Sequence, residues 1–183
     1  MNISNLLQDD PDIKVVSTCK NGEEALKELS KLHIDVLLLD KINTLHSILK
    51  NSVMKSKKEV VLETDLAGNY VASSYSWATA RDWAKFGLLY LYKGNWNGTR
   101  IFRESWVNYV ATPTPTSNGS YGAQFWLNAA GKFPNIPRNM FYADGYQGQR
   151  IYILPDQKLV IVRFGLTNFD ENTFLKGLLS SIK

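Results

Sequence analysis

Hydrophobic positions follow two different arrangements along the chain. Near the start, Ile34-Asp-Val-Leu-Leu-Leu39 is an almost unbroken apolar run that ends at Asp40. Continuous apolar strands are typical of parallel sheets that are buried on both faces. A short strand over 12–16 and a helix over 23–32 precede this run, so the pattern predicts a small α/β fragment.

From about residue 76, the apolar positions recur first at helical spacing and later at every second residue. The segment 76–82 is predicted to open a helix with Thr79 as its N-cap, and this helix runs to about Tyr92. A shorter helix is predicted from Arg103. The predicted strands are 121–127, 149–154 and 159–164, and a closing helix covers 170–182 with Phe174, Leu175, Leu178 and Leu179 on its buried face. Helices, an antiparallel sheet and a final helix define an α+β arrangement.

Aromatic residues and charge divide the chain at a similar place. All 22 aromatic residues (9 Tyr, 8 Phe and 5 Trp) lie at or after Tyr70. Residues 1–50 carry 6 Lys against 8 Asp and Glu, whereas residues 51–183 carry 15 Lys and Arg against 9 Asp and Glu. The shift predicts two segments of different origin, 1–41 and 54–183, joined by a junction at 42–53.

Composition argues against several classes of protein. The single Cys19 excludes an internal disulfide framework and a zinc site with several Cys ligands. No apolar run approaches the roughly 20 residues that span a bilayer, and the first residues lack the pattern of a signal peptide. The net charge of +4 does not by itself indicate nucleic-acid binding. We therefore expect a soluble, cytoplasmic protein that binds neither membranes nor nucleic acid.

The sequence PDIKVVSTCKNGEEALKELSKLHIDVLLLD, within residues 6–40, resembles the second strand, second helix and third strand of a response-regulator receiver domain. The resemblance implies a truncated receiver-like fragment in which Asp40 matches the phospho-accepting aspartate. Such a site needs Mg²⁺ held by further carboxylates. The strand that carries the family's acidic pair has no match here, and Asp9 and Asp10 do not replace it. We therefore expect no stable phosphorylation of Asp40, and Mg²⁺ as a cofactor only if this fragment is functional.

Residues 54–183 include the segments LETDLAGNYVASSYSWATARDWAKFGLLYL, YGAQFWLN and GYQGQRIYILPDQKLVIVRFG. With these segments, residues 54–183 resemble the carboxyl-terminal part of the serine β-lactamase and penicillin-binding-protein-like hydrolases, in the class C-related esterase branch. The resemblance implies part of a β-lactamase-like α+β fold and, in the intact parent, hydrolysis of a small amide or ester through an acyl-serine. It implies no cofactor or metal, and it leaves export of an intact parent open.

One element of the family's catalytic site has a counterpart in this sequence. Tyr146-Gln147-Gly148 matches the Lys-Thr-Gly or His-x-Gly strand that forms the substrate-binding wall. Tyr146 stands where the family has Lys or His, so the wall keeps a hydrogen-bond donor but carries no charge there at neutral pH. The alternative is that Gly145 and Gly148 are turn glycines flanking a packed tyrosine.

The catalytic nucleophile has no convincing match. Ser-x-x-Lys strings occur at Ser17–Lys20 and at Ser47–Lys50, but such a short pattern arises easily by chance. Ser47 and Lys50 precede the wall by only about a hundred residues, with flanks unlike those of the family. No Tyr-x-Asn string occurs in the 183 residues. We therefore expect a partial hydrolase that is inactive alone; the alternative function is a signalling protein phosphorylated on Asp40.

Two further features bear on the surface of the protein. Asn97-Gly-Thr99 and Asn118-Gly-Ser120 match the glycosylation sequon, but both are predicted turns. A partial fold also exposes the face that meets its missing lobe, so self-association through that face is expected.

Overall fold

The computed structural model of the chain describes residues 61–68, 75–166 and 168–182. The described residues fall into two compact units, one holding 61–68 and 75–77 and the other beginning at Ala78. The receiver-like fragment 1–41 and the junction 42–53 lie outside the described residues. Predictions that rest on Asp40, Ser47 or Lys50 therefore stay predictions.

In the first unit, the described residues form one short antiparallel pair. Strand β1 (Val61–Leu62) pairs with β2 (Ser76–Trp77). The Glu63 N–H donates to the Tyr75 carbonyl at 3.0 Å and extends the pairing by one step. Ser76 and Trp77 thus pair as a strand ahead of the predicted N-cap Thr79, and this strand is not predicted from the sequence.

Helix α1 (Ala80–Leu91) begins and ends at the residues whose chemistry favours these positions. The Thr79 hydroxyl oxygen accepts a hydrogen bond from the Asp82 N–H at 3.2 Å, as predicted for an N-cap. At the other end, the Gly94 N–H donates to the Leu89 carbonyl at 2.8 Å. Gly94 has φ +80, and a Cβ there would collide with the Phe102 backbone, so glycine is required.

A hairpin and a second helix follow α1. Strands β3 (Asn95–Trp96) and β4 (Thr99–Arg100) are joined by the predicted Asn97-Gly98 turn. Helix α2 (Glu104–Val110) begins one residue after the predicted start.

The largest sheet among the described residues has four antiparallel strands in the order β5-β6-β7-β8. These strands are β5 (Trp126–Leu127), β6 (Phe141–Asp144), β7 (Arg150–Leu154) and β8 (Leu159–Arg163). Strands β7 and β8 match the prediction to within one residue at each end. The predicted strand 121–127 is mostly loop, because Tyr121 folds back to form an isolated bridge with Trp126. Strand β6 is not predicted at all.

The two faces of this sheet pack against different helices. Phe141, Ile151 and Ile153 face a core that includes Tyr90 of α1 and Val110 of α2. The alternating residues of β6 and β7 face a second core that includes Leu175 of α3 (Glu171–Ser181). Phe174 is 40% exposed, so its predicted place on the buried face of α3 is wrong.

The described elements confirm the α+β class, with antiparallel pairing in every sheet. Among them, no helix combines the length and the apolar character needed to cross a membrane.

Candidate functional site

The predicted wall residues form the turn that joins β6 to β7. Tyr146–Gly148 is a single 3₁₀ turn, and the Gly145 N–H closes it by donating to the Gln149 carbonyl at 2.7 Å. Gln147 occupies the left-handed region with φ +55, an unusual conformation for a residue other than glycine. The Tyr146 side chain is 85% exposed, so Tyr146 is not a packed tyrosine.

Two side chains tie this turn to the end of β8. The Gln149 amide makes two hydrogen bonds with the backbone of Gly165, donating to its carbonyl and accepting from its N–H, both at 3.1 Å. The Arg163 guanidinium donates to the Gly148 carbonyl at 2.6 Å. Since both anchors lie at the base of the turn, Tyr146 and Gln147 extend from a fixed support.

A cavity of about 330 Å³ lies beside the turn. It is bordered by the turn, the start of β7, the end of β8, the segment that follows β8 and the start of α3. The residues that line it are Gln147, Gly148, Arg150, Arg163, Leu166, Asn168, Phe169 and Glu171. The Arg163 guanidinium lies 4.7 Å from the centroid of the Phe169 ring, which is a cation–π contact.

A network of side chains from β6, β7 and α3 balances the charge in this region. The Arg150 guanidinium contacts Asp144 and forms a forked pair with Glu171, at 3.3 and 3.4 Å. The Tyr152 hydroxyl donates to the same Glu171 carboxylate. Burial, and then the hydrogen bond and charge of Glu171, raise the pKa of Tyr152 well above its usual range. Tyr152 is therefore a neutral donor that fixes the Glu171 carboxylate.

The side chains that line the cavity are suited to binding a polar, planar group. Guanidinium and amide groups donate to carbonyl or carboxylate oxygens, and Phe169 offers an apolar surface beside them. Among the described residues, no cluster of three or more His, Cys, Asp or Glu is placed to hold a metal ion.

The structure brings Tyr146, Gln147 and Gly148 together with two arginines that sequence reasoning missed. Arg150 and Arg163 stand directly opposite each other in the β7–β8 register. An arginine at one end of each of two predicted apolar strands was the signal available in the sequence. No sequence pattern marked Glu171 as a site residue, because it lies on α3 and reaches Arg150 only through the packing of that helix.

Sequence reasoning also overlooked two formal Ser-x-x-Lys strings, Ser52–Lys55 and Ser180–Lys183. Ser180 is exposed in the last turn of α3, and its hydroxyl donates to the Lys176 carbonyl of its own helix at 2.9 Å. It therefore lies in ordinary helix geometry. Ser52, like Ser47 and Lys50, lies outside the described residues.

Comparisons with known proteins support the hydrolase resemblance. No family model and no curated protein matches the chain. A solved structure from Bacillus anthracis, described as a 6-aminohexanoate-dimer hydrolase, is similar to it with a TM-score of 0.59 and 26% sequence identity. The match covers 78% of this chain and 37% of that protein, so the chain spans well under half of its length.

That structure belongs to the serine hydrolases of the β-lactamase and penicillin-binding-protein-like superfamily. The fold described above is accordingly a partial β-lactamase-like hydrolase fold. This similarity supports the hydrolase part of the predicted resemblance at the level of that superfamily, whereas the receiver-like part gains no support.

Proposed function

We propose that this chain is part of a serine hydrolase that acts on small-molecule amides or esters through an acyl-serine, and that it supplies one wall of the binding site. The observation that carries the proposal is the β6–β7 turn on a partial β-lactamase-like fold. Gln147 and Gly148 of this turn line a polar cavity, and the adjacent Tyr146 is exposed. Only the class of substrate is extended from the similar protein, whose description names a 6-aminohexanoate dimer.

The turn offers hydrogen-bond donors to a substrate. Within the described residues, the backbone N–H groups of Tyr146 and Gln147 have no acceptor, and the Tyr146 phenol is exposed. Donors of this kind stabilise the negative charge that develops on a carbonyl oxygen during acyl transfer. Their support from Gln149 and Arg163 limits the reorganisation that binding requires.

The nucleophile and its base are the parts that this chain does not provide. The Ser-x-x-Lys string at Ser47 has flanks unlike those of the family, and no Tyr-x-Asn string occurs in the sequence. Loss of the nucleophile and its base removes several orders of magnitude in rate. We therefore expect the chain on its own to bind the substrate class without turning it over.

Binding to the wall can be tested with N-acetyl-6-aminohexanoate, which carries both an amide and a carboxylate. Titration followed by NMR should give saturable binding that Tyr146→Phe weakens by about three- to tenfold, since one hydrogen bond is lost. Tyr109→Phe is the matched control, because Tyr109 is also exposed but lies on α2. Equal effects of the two changes, or no saturable binding, would contradict the proposed wall.

Turnover is tested separately with a chromogenic β-lactam, a short-chain ester and a fluorophosphonate label. We expect no turnover above that of buffer and no labelled peptide. A label on Ser47, Ser52 or Ser180 that disappears on substitution by Ala would show that the chain carries its own nucleophile.

A further inference from the structure

Among the described residues, two Asn-Gly pairs, each with an exposed asparagine, occupy the same kind of tight turn. Asn97-Gly98 joins β3 to β4, with φ values of +49 and +83. Asn118-Gly119 lies in a turn closed by the Ser120 N–H, which donates to the Ser117 carbonyl at 3.0 Å, and its φ values are +51 and +82. Positive φ at both central residues is the mark of a type I′ turn. The two sites therefore share nearly the same backbone conformation.

The two turns differ in what holds the glycine N–H. The Gly98 N–H donates to the Asn95 side-chain oxygen at 3.0 Å. The Gly119 N–H has no acceptor within the described residues. This contrast concerns the atom that reacts when an Asn-Gly pair loses ammonia, because the backbone nitrogen attacks the side-chain carbonyl carbon of the asparagine.

We propose that Asn118 is a site of spontaneous deamidation that the fold leaves open, while the matching site at Asn97 is protected by Asn95. The Gly119 nitrogen bonds to Cγ of Asn118 and gives up its proton, and the bond from Cγ to the amide nitrogen breaks with release of ammonia. Water then opens the resulting succinimide at either carbonyl, which yields aspartate or isoaspartate. No oxidant, reductant or cofactor is consumed.

Asn97 is protected from deamidation because the Gly98 nitrogen must lose its proton when it attacks the Asn97 side chain. The hydrogen bond to the Asn95 oxygen stabilises the intact N–H of Gly98. This bond must break before the Gly98 nitrogen can attack Cγ of Asn97. The free energy of one such bond corresponds to a rate difference of about three- to tenfold. We expect deamidation at Asn118 to be faster than at Asn97 by this factor in the folded protein.

Reaction at Asn118 would change the loop that leads into β5. The Ala130 N–H donates to the Gly119 carbonyl at 3.0 Å, and the Leu127 N–H donates to the Ser120 carbonyl at 2.8 Å. An isoaspartate adds a methylene to the backbone within this turn, so both hydrogen bonds would be strained. The new carboxylate also lowers the net charge of +4 by one unit.

The test is incubation of the purified full chain in mildly alkaline buffer, followed by peptide mapping that separates Asn, Asp and isoaspartate forms. The same incubation in concentrated urea serves as the reference, because Asn97-Gly-Thr and Asn118-Gly-Ser have similar intrinsic reactivity once unfolded. We expect the rate ratio of Asn118 to Asn97 to be about three to ten in the folded chain and near one in urea.

Asn95→Ala provides the matched variant, since it removes the acceptor from the Gly98 N–H. It should raise the rate at Asn97 towards that at Asn118 and leave Asn118 unchanged. A folded ratio equal to the ratio in urea would overturn the proposal. So would an unchanged rate at Asn97 in an Asn95→Ala chain whose circular dichroism and melting match those of the parent.

Discussion

Arg150 and Arg163 face each other as direct partners in the antiparallel ladder between β7 and β8. Like charges at directly opposite positions destabilise a sheet unless other groups compensate them. Arg150 is compensated by the carboxylates of Asp144 and Glu171, whereas Arg163 donates to the Gly148 carbonyl. Glu171 therefore helps two arginines to share the end of the sheet that borders the cavity.

Replacing Glu171 by Gln should destabilise the folded protein. The Arg150 side chain is only 10% exposed and would keep Asp144 as its one carboxylate partner among the described residues. Breaking a largely buried pair from one side leaves a poorly compensated charge, and we expect the free energy of unfolding to fall by about 2–3 kcal/mol. Urea unfolding followed by tryptophan fluorescence measures the change.

The control for this prediction is Glu104→Gln. Glu104 pairs with Lys93 on the surface, where the two side chains are 49% and 58% exposed. Exposed pairs contribute little to stability, so this variant should unfold like the parent. Equal losses in the two variants would show that burial of the Arg150 pair is not what matters.

Alkaline pH should destabilise the fold through Tyr90. Burial raises the pKa of Tyr90 from 10.0 to about 12, and a hydrogen bond with Trp106 offsets part of the rise. Between these values the unfolded chain has lost the phenol proton and the folded chain keeps it. The contribution of Tyr90 to stability is thus fully present below pH 10 and is lost as pH rises through about 12.

The expected loss is about 3 kcal/mol, which corresponds to a pKa difference of two units. It can be measured by urea unfolding at a series of pH values. Tyr90→Phe should show a shallower decline over the same range, because Phe has no proton to lose. A parent and a variant with parallel declines would contradict the assignment to Tyr90.

Local chemistry explains which elements could be predicted from the sequence. Helix α1 is predictable at both ends because Thr79 caps one and Gly94 stops the other. Strand β6 is not, because Phe141–Asp144 has only four residues and depends on its neighbours for pairing. Strand β5 is shorter than its alternating pattern predicts because the bridge from Tyr121 turns the chain back.

The candidate site divides in a similar way. Tyr146, Gln147 and Gly148 are neighbours in the sequence, so a motif can identify them. Arg163 and Glu171 join them only through strand register and the packing of α3, which no local pattern encodes. The sequence therefore could not predict that residues of the β6–β7 turn, β8 and α3 form one site.

Gln149 should be needed for the position of the turn. Its amide satisfies both backbone groups of Gly165, so Gln149→Leu leaves a donor and an acceptor without their partner. We expect a loss of about 1–3 kcal/mol in unfolding free energy and faster hydrogen exchange at the Gly165 amide. Gln157→Leu, at an exposed position of the hairpin between β7 and β8, should change neither quantity. Unaltered exchange at Gly165 in Gln149→Leu would refute this role.

The close packing of α1 on the sheet should depend on Gly87 having no Cβ. A Cβ at this position would lie 2.6 Å from Cγ1 of Val160 and 3.1 Å from Cγ2 of Ile151. Alanine favours a helix over glycine by about 1 kcal/mol, but overpacking a core costs about 1–3 kcal/mol. Because the contact with Val160 is far too close, the cost should prevail, and we expect Gly87→Ala to destabilise the fold by about 1–2 kcal/mol.

A double-mutant cycle tests this cause directly. Val160→Ala removes the colliding methyl groups, so Gly87→Ala should be at least about 1 kcal/mol less damaging in the Val160→Ala background than in the parent. Gly177→Ala is the control on α3, where a Cβ would meet nothing within 4 Å and the helix propensity of Ala should stabilise by about 0.5–1 kcal/mol. If Gly87→Ala and Gly177→Ala change the unfolding free energy alike, α1 does not approach β8 as closely as this contact requires.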